Sequence, residues 1–213
     1  MEETEKIEWR KSEKNIYLPK TKPAIVVIPP MKYFTIAGKG NPNTSEDYAR
    51  GIEALYSLSF TIKMSKKSGN PPKGFVDYAV YPLESVWNIA EDCNGKIDLL
   101  NKDSFEYNMM IRQPDFVSDE YADFVIEMVK RKKPNPLLDI VKFETIDEGE
   151  CVQMLHIGPY DDETRTFAVM DEFARANSLA KLDRTHREIY LSDPRRTAPE
   201  KLKTALRYRT KHI

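Results

Sequence analysis

From Ala24 onward the chain alternates short apolar runs with amphipathic stretches, and each change of period marks an element. AIVVI is apolar and β-prone, Pro29 and Pro30 break the run, and a strand follows from about Tyr33 to Ala37. Apolar positions then shift to helical spacing in NTSEDYARGIEALYSLSFTIKM, where Tyr48, Ile52, Leu55 and Tyr56 make the stripe and Asn43 or Thr44 is the expected cap. After the loop KKSGNPPKG, Val76, Tyr78 and Val80 alternate as in a half-buried strand. The segment 103–112 sets Phe105, Tyr107, Met109 and Ile111 on one strand face.

A helix is predicted over 118–133, capped by Ser118, with Tyr121, Phe124, Val125 and Met128 as its stripe and KRKK at its negative end. Dipole complementation accounts for that basic run without a nucleic-acid partner. A strand at 150–157, a glycine turn, and a helix ending at Asn177 as a left-handed terminator follow. Two more strands are expected, in HREIYLSD and in LKTALRYRTK.

Superposed at Gly40 and Gly158, the two halves share one order of strand, glycine turn, acidic helix start, amphipathic helix and further strands. The reading is an α+β fold of duplicated β-α-β-β modules with pseudo-two-fold symmetry. A curved antiparallel sheet would surround a central cleft, with helices on the back. Module 1 spans about 31–114 and module 2 about 139–213, joined by the helix 118–133, and residues 1–22 form a charged arm.

Parity picks out a carboxylate. In HREIYLSD, Ile189 and Leu191 point one way while His186, Glu188 and Tyr190 point the other. Burying Glu188 among aliphatic groups would cost several kcal/mol, about the scale of charge desolvation. The polar set is therefore expected to face the cleft, with the aliphatic pair packed on the helices. Aromatic groups around one acid suit a flat, cationic or polarised ligand. They would also favour the proton-bearing form of the acid, making Glu188 a general acid.

Composition narrows the classes. Basic and acidic residues balance, 33 against 34, so no global charge favours nucleic acid. No apolar run approaches the span of a bilayer, and the charged N-terminus lacks a signal-peptide pattern, which makes a cytoplasmic location the expectation. Cys93 and Cys151 read as reduced structural thiols. GKGNPN has two glycines of a dinucleotide fingerprint, but Asn43 stands where the third would be and Pro42 removes an amide. His156, His186 and Glu188 could approach a zinc set, but no metal-site spacing supports one, so neither metal nor cofactor is expected.

HIGPY (156–160) with the following DDE, and EIYLSDPRRTAPEKLKT (188–204), resemble the gyrase-inhibitor-like (GyrI-like) small-molecule-binding family, in particular its stand-alone bacterial members. The resemblance covers roughly 20–213 and implies paired β-α-β-β modules around a cleft. It implies binding of hydrophobic, polycyclic aromatic or cationic small molecules for detoxification, with hydrolysis of cyclopropane-bearing alkylating compounds in some members. Glu188 matches the central cleft acid, Tyr160 a catalytic or lining tyrosine, and Trp87 a lining aromatic; Tyr107, His156 and Tyr190 complete the expected pocket. The alternatives are a protein that sequesters such ligands unchanged and one that interacts with gyrase. A monomer or weak dimer without direct nucleic-acid or membrane contact is expected.

Overall fold

The computed structural model describes residues 6–89 and 102–213. Cys93 lies outside the described residues. In chain order the elements are α1 (Trp9–Ser12), α2 (Lys14–Tyr17), β1 (Ala24–Ile28), β2 (Met31–Lys39), α3 (Glu46–Met64), β3 (Leu83–Ile89), β4 (Phe105–Gln113), α4 (Asp119–Lys132), β5 (Lys142–Ile146), β6 (Gly149–Ile157), α5 (Glu163–Ala176), β7 (Leu179–Lys181), β8 (His186–Tyr190) and β9 (Lys203–His212). The nine strands pair antiparallel, giving an α+β fold. The chain forms two compact units. Of the described residues, the first comprises 6–9, 31–83, 88–89 and 102–146, and the second 10–30, 84–87 and 147–213.

In the first unit β2 lies between β4 and β5. Ser45 caps α3 by accepting from the Tyr48 amide, one position past the caps the sequence suggested. α4 keeps the predicted Ser118 cap, bonded to the Tyr121 amide. Its buried side chains are Ala122, Val125, Ile126 and Val129, so the stripe is rotated from the predicted one and Phe124 faces outward. Val76 to Val80 is not a strand. Tyr78 makes only a single bridge to Ile7, and its buried hydroxyl donates to the Ser59 carbonyl, so a tertiary contact produced what looked like alternation.

The second unit runs β1, β6, β9, β8 and then the central residues of β3, with β7 on the far end of β9. Val152, Leu206 and Tyr208 form a core with Met170 and Ala174 of α5. The helix ends at Asn177, but the left-handed residue is Ser178 at φ 56°. The opposite face of the sheet holds a buried ionic chain. Arg187 donates to Glu84 at 2.7 Å and to Glu148 at 2.9 Å, and Arg207 donates to Glu148 at 3.0 Å. Arg207 also donates to Gln153 and to the Ile16 carbonyl at 2.5 Å, which ties α2 of the charged arm to the sheet. Among the described residues no helix is long and apolar enough to cross a membrane.

Candidate functional site

β8 supplies the centre of the site. Register places Ser85 opposite Glu188 and Trp87 opposite His186 on β3, and Leu206 opposite Glu188 and Thr204 opposite Tyr190 on β9. Directly opposed residues share a face, so His186, Glu188, Tyr190, Ser85, Trp87 and Thr204 line one side, and His156 joins them through its pairing with Thr204. The predicted parity of β8 holds, but the helix is on the other side from the one expected. α5 covers the Glu188 face, while Ile189 and Arg187 look toward the ionic chain. Charge on Arg187 requires a buried acidic partner, and Glu84 and Glu148 provide it on that side.

The entry to α5 is set by Gly158 and His156. Gly158 sits at φ +136°, and an added Cβ would come within 2.8 Å of the Arg165 guanidinium. The His156 ring is buried; its Nε2 donates to the Pro159 carbonyl at 3.0 Å and its Nδ1 pairs with the Thr166 hydroxyl at 2.8 Å. Both nitrogens are therefore taken up in holding the turn 159–166.

That turn delivers Glu163, the first residue of α5, against Glu188. Both are at least nine-tenths buried, and a carboxylate oxygen of each lies within 4.8 Å of the other. Among the described residues neither is paired with a lysine or arginine. A carboxylate at a helix start is ordinarily favoured by the positive dipole end. Here burial comes first, then the Glu188 charge and hydrogen bond, and together they push the Glu163 carboxyl well above its ordinary value. Both influences favour the proton-bearing form of Glu163. His186 Nε2 lies 3.1 Å from Glu188 Oε1.

Aromatic groups surround this pair. Phe167 meets the His186 ring edge to face at 4.8 Å, Tyr160 meets Tyr190 in the same manner at 5.8 Å, and Trp87 Nε1 donates to the Tyr190 hydroxyl at 3.0 Å. Tyr160 is the exposed member at 37%, whereas Trp87 is 7% exposed. Buried polar atoms on this face that lack a hydrogen-bond partner include Glu163 Oε1, Ser85 Oγ and Thr204 Oγ1. Unpaired buried polar atoms are uncommon in folded proteins and mark places where water or a ligand completes the bonding.

Of the six residues selected from sequence, Glu188, Tyr160, Trp87 and Tyr190 are assembled here, with His156 behind them. Tyr107 belongs to the first unit, where its ring packs beneath Gly38 and edge to face with Tyr48 at 5.0 Å. Glu163 is the residue the sequence reading passed over. It was visible as the last letter of HIGPYDDE, yet an acid at a helix start already has a sufficient electrostatic reason to be there. A separate cavity of about 760 Å³ opens on the other sheet face beside Leu155, Ile157 and Leu191 and contains none of the six.

The chain belongs to the GyrI-like family: the model for the GyrI-like small molecule binding domain matches residues 21–209. It is similar over 97% of its length to a solved structure of a hydrolase from Listeria innocua, at 40% identity, TM-score 0.88 and full coverage of that chain. A second hydrolase structure from the same organism matches at 37% identity and TM-score 0.87, and an uncharacterized conserved protein of that organism at 40% and 0.89, both with 97% of this chain and 100% of theirs covered. The C-terminal domain of EcmrR shares the fold at 13% identity and TM-score 0.52, over 90% of this chain and 98% of that one. No curated protein sequence matches the chain.

Proposed function

We propose that the protein binds flat, hydrophobic, polarised or cationic small molecules at the aromatic site and hydrolyses a strained ring in them. The observation that carries this reading is the buried Glu163–Glu188 pair, which among the described residues has no lysine or arginine partner, and whose burial favours a proton on Glu163, beside a set of aromatic side chains. A pair of that kind offers an acid and a base in one place. The hydrolase description of two relatives at 37% and 40% identity supports the same class of reaction.

The step balances. Water attacks a carbon of a cyclopropane conjugated to a carbonyl, and its proton passes to Glu188. The ring C–C bond breaks, its electron pair moves through the conjugated system to the carbonyl oxygen, and that oxygen takes the proton from Glu163. The product is the substrate plus one water, and the proton between the two acids is restored by exchange. Tyr160, as the exposed aromatic, guides the planar substrate in, while Trp87 and Tyr190 form a fixed wall through their shared hydrogen bond. General acid–base assistance of this kind contributes about 10²- to 10⁴-fold, which suffices where ring strain drives the reaction.

Incubation with a cyclopropane-bearing alkylating compound, followed by mass spectrometry, tests the reading. Gain of the mass of one water by wild type, with intact compound from Glu163→Gln that still quenches Trp87 fluorescence, is the expected result. Tight binding by wild type with no change of mass would overturn the hydrolytic step and leave sequestration.

A further inference from the structure

We propose that Glu163, His186 and Glu188 form a binding site for a borderline divalent cation, with zinc the best fit. The site shares residues with the hydrolytic reading but does not depend on it, because a cation held here stands whether or not any compound is turned over. One potential ligand atom from each of the three residues lies within 4.8 Å of the others. Zinc bonds to oxygen and nitrogen of about 2.0 to 2.1 Å in a tetrahedron place neighbouring ligand atoms about 3.3 Å apart. The His186 Nε2 to Glu188 Oε1 separation of 3.1 Å already has that spacing. A closing movement of up to about 1.5 Å, within reach of a glutamate side chain, brings the third ligand in.

Position and chemistry agree. His186 and Glu188 are two apart on β8 and so share a face, and Glu163 reaches the same point from the first residue of α5. The His186 ring is steadied by its edge-to-face contact with Phe167, as a ligating imidazole needs a fixed orientation. Two carboxylates and one imidazole favour zinc, manganese or iron over soft cations, and three protein ligands leave a fourth position open. The independent sign of a missing ligand is Glu163 Oε1, which is buried without any hydrogen-bond partner in a residue only 6% exposed. Ser85 Oγ, buried and unpartnered opposite Glu188, is a second polar atom turned to the same face. His156 takes no part, since both its ring nitrogens are engaged.

A cation there would occupy the space between the acids and block access to both, so zinc should act as an inhibitor of any chemistry at the site. Chelator-stripped protein titrated with zinc chloride in a calorimeter should take up a single equivalent saturably. Glu163→Gln and His186→Gln should each weaken binding at least tenfold, and His212→Ala, which removes the exposed His212–Glu150 pair, should leave it unchanged. Cobalt(II) should give visible absorption bands of a low-coordinate site, lost in the same two variants. Circular dichroism and thermal melting of each variant establish that it is folded. Absence of saturable zinc uptake by wild type, or undiminished uptake by folded Glu163→Gln or His186→Gln, would overturn the proposal. Zinc uptake without ring opening would overturn the hydrolytic reading alone, and ring opening without zinc uptake would overturn this one alone.

Discussion

A carboxylate oxygen of Glu163, at the first residue of α5, lies within 4.8 Å of one of Glu188, at the centre of β8, and both residues are buried. Two like-charged groups in that position cannot both ionise at ordinary cost, so the arrangement favours a proton on Glu163. On the proposed function, the remaining features of the site, from the His156 anchor to the Tyr160–Tyr190 contact, would arrange substrate and water around that proton.

Glu163→Gln keeps the shape of the pair but removes the proton donor. Ring-opening turnover should fall by about 10²- to 10⁴-fold, the usual contribution of a positioned acid. Ligand affinity, followed through Trp87 fluorescence, should change little. A variant with turnover close to wild type would show that the proton comes from elsewhere.

The same residue shapes the pH dependence of stability. Its folded-state value lies above the ordinary 4.5, so the native state binds the proton more tightly than the unfolded chain does. Its contribution to stability is complete below about the unfolded value and is lost as pH rises toward the folded one. Thermal melting of wild type should therefore decline across mildly acidic to neutral pH more steeply than that of Glu163→Gln. Glu84, whose carboxyl burial also pushes up, adds a slope of the same sign that both proteins share. Identical slopes in the two proteins would contradict the shifted Glu163.

The ionic chain on the far side of the sheet makes a separate prediction. Burial pushes the Glu148 carboxyl up, but Arg187 and Arg207 together outweigh it and hold the group below its ordinary value. Arg187→Met would leave Glu84 buried and uncompensated and should destabilise the fold by about 3 to 5 kcal/mol. The double change Glu84→Leu with Arg187→Met should recover much of that loss. Urea unfolding measures both, and equal destabilisation by the single and double variants would be the contrary result.

His156→Phe tests the positioning of the turn. Phenylalanine fills the space but leaves the Pro159 carbonyl and Thr166 hydroxyl without partners, at about 1 to 3 kcal/mol. The expected outcome is a lowered kcat with Tyr160 still exposed to substrate, because Glu163 is no longer held against Glu188. An unchanged kcat would reduce His156 to a stabilising role.

Locally encoded features were readable in the residue pattern. The alternation of His186, Glu188 and Tyr190, the Ser118 cap and the turn after Ile157 each depend on a few neighbouring residues. Long-range choices were not readable. Which sheet face α5 covers depends on where Arg187 finds its acids, and Glu84 and Glu148 are distant in sequence. Glu163 was hidden because its place at a helix start explained it too well. Tyr107 resembled a pocket aromatic because a strand tyrosine beneath Gly38 has the same sequence signature as one beside a ligand. The family resemblance, by contrast, rested on residues 156–163 and 188–204, the two segments that carry the site.

Carbon-13 NMR of protein labelled at glutamate carboxyls, stripped of metal and titrated from acid to mildly alkaline pH, reads the retained proton itself. The account requires one carboxyl resonance, absent from Glu163→Gln, to remain in its protonated position through neutrality and to shift down in its titration when Glu188 is replaced by Gln. If the Glu163 carboxyl instead ionises with the ordinary exposed glutamates, no shared proton exists and the acid–base reading of the site is wrong.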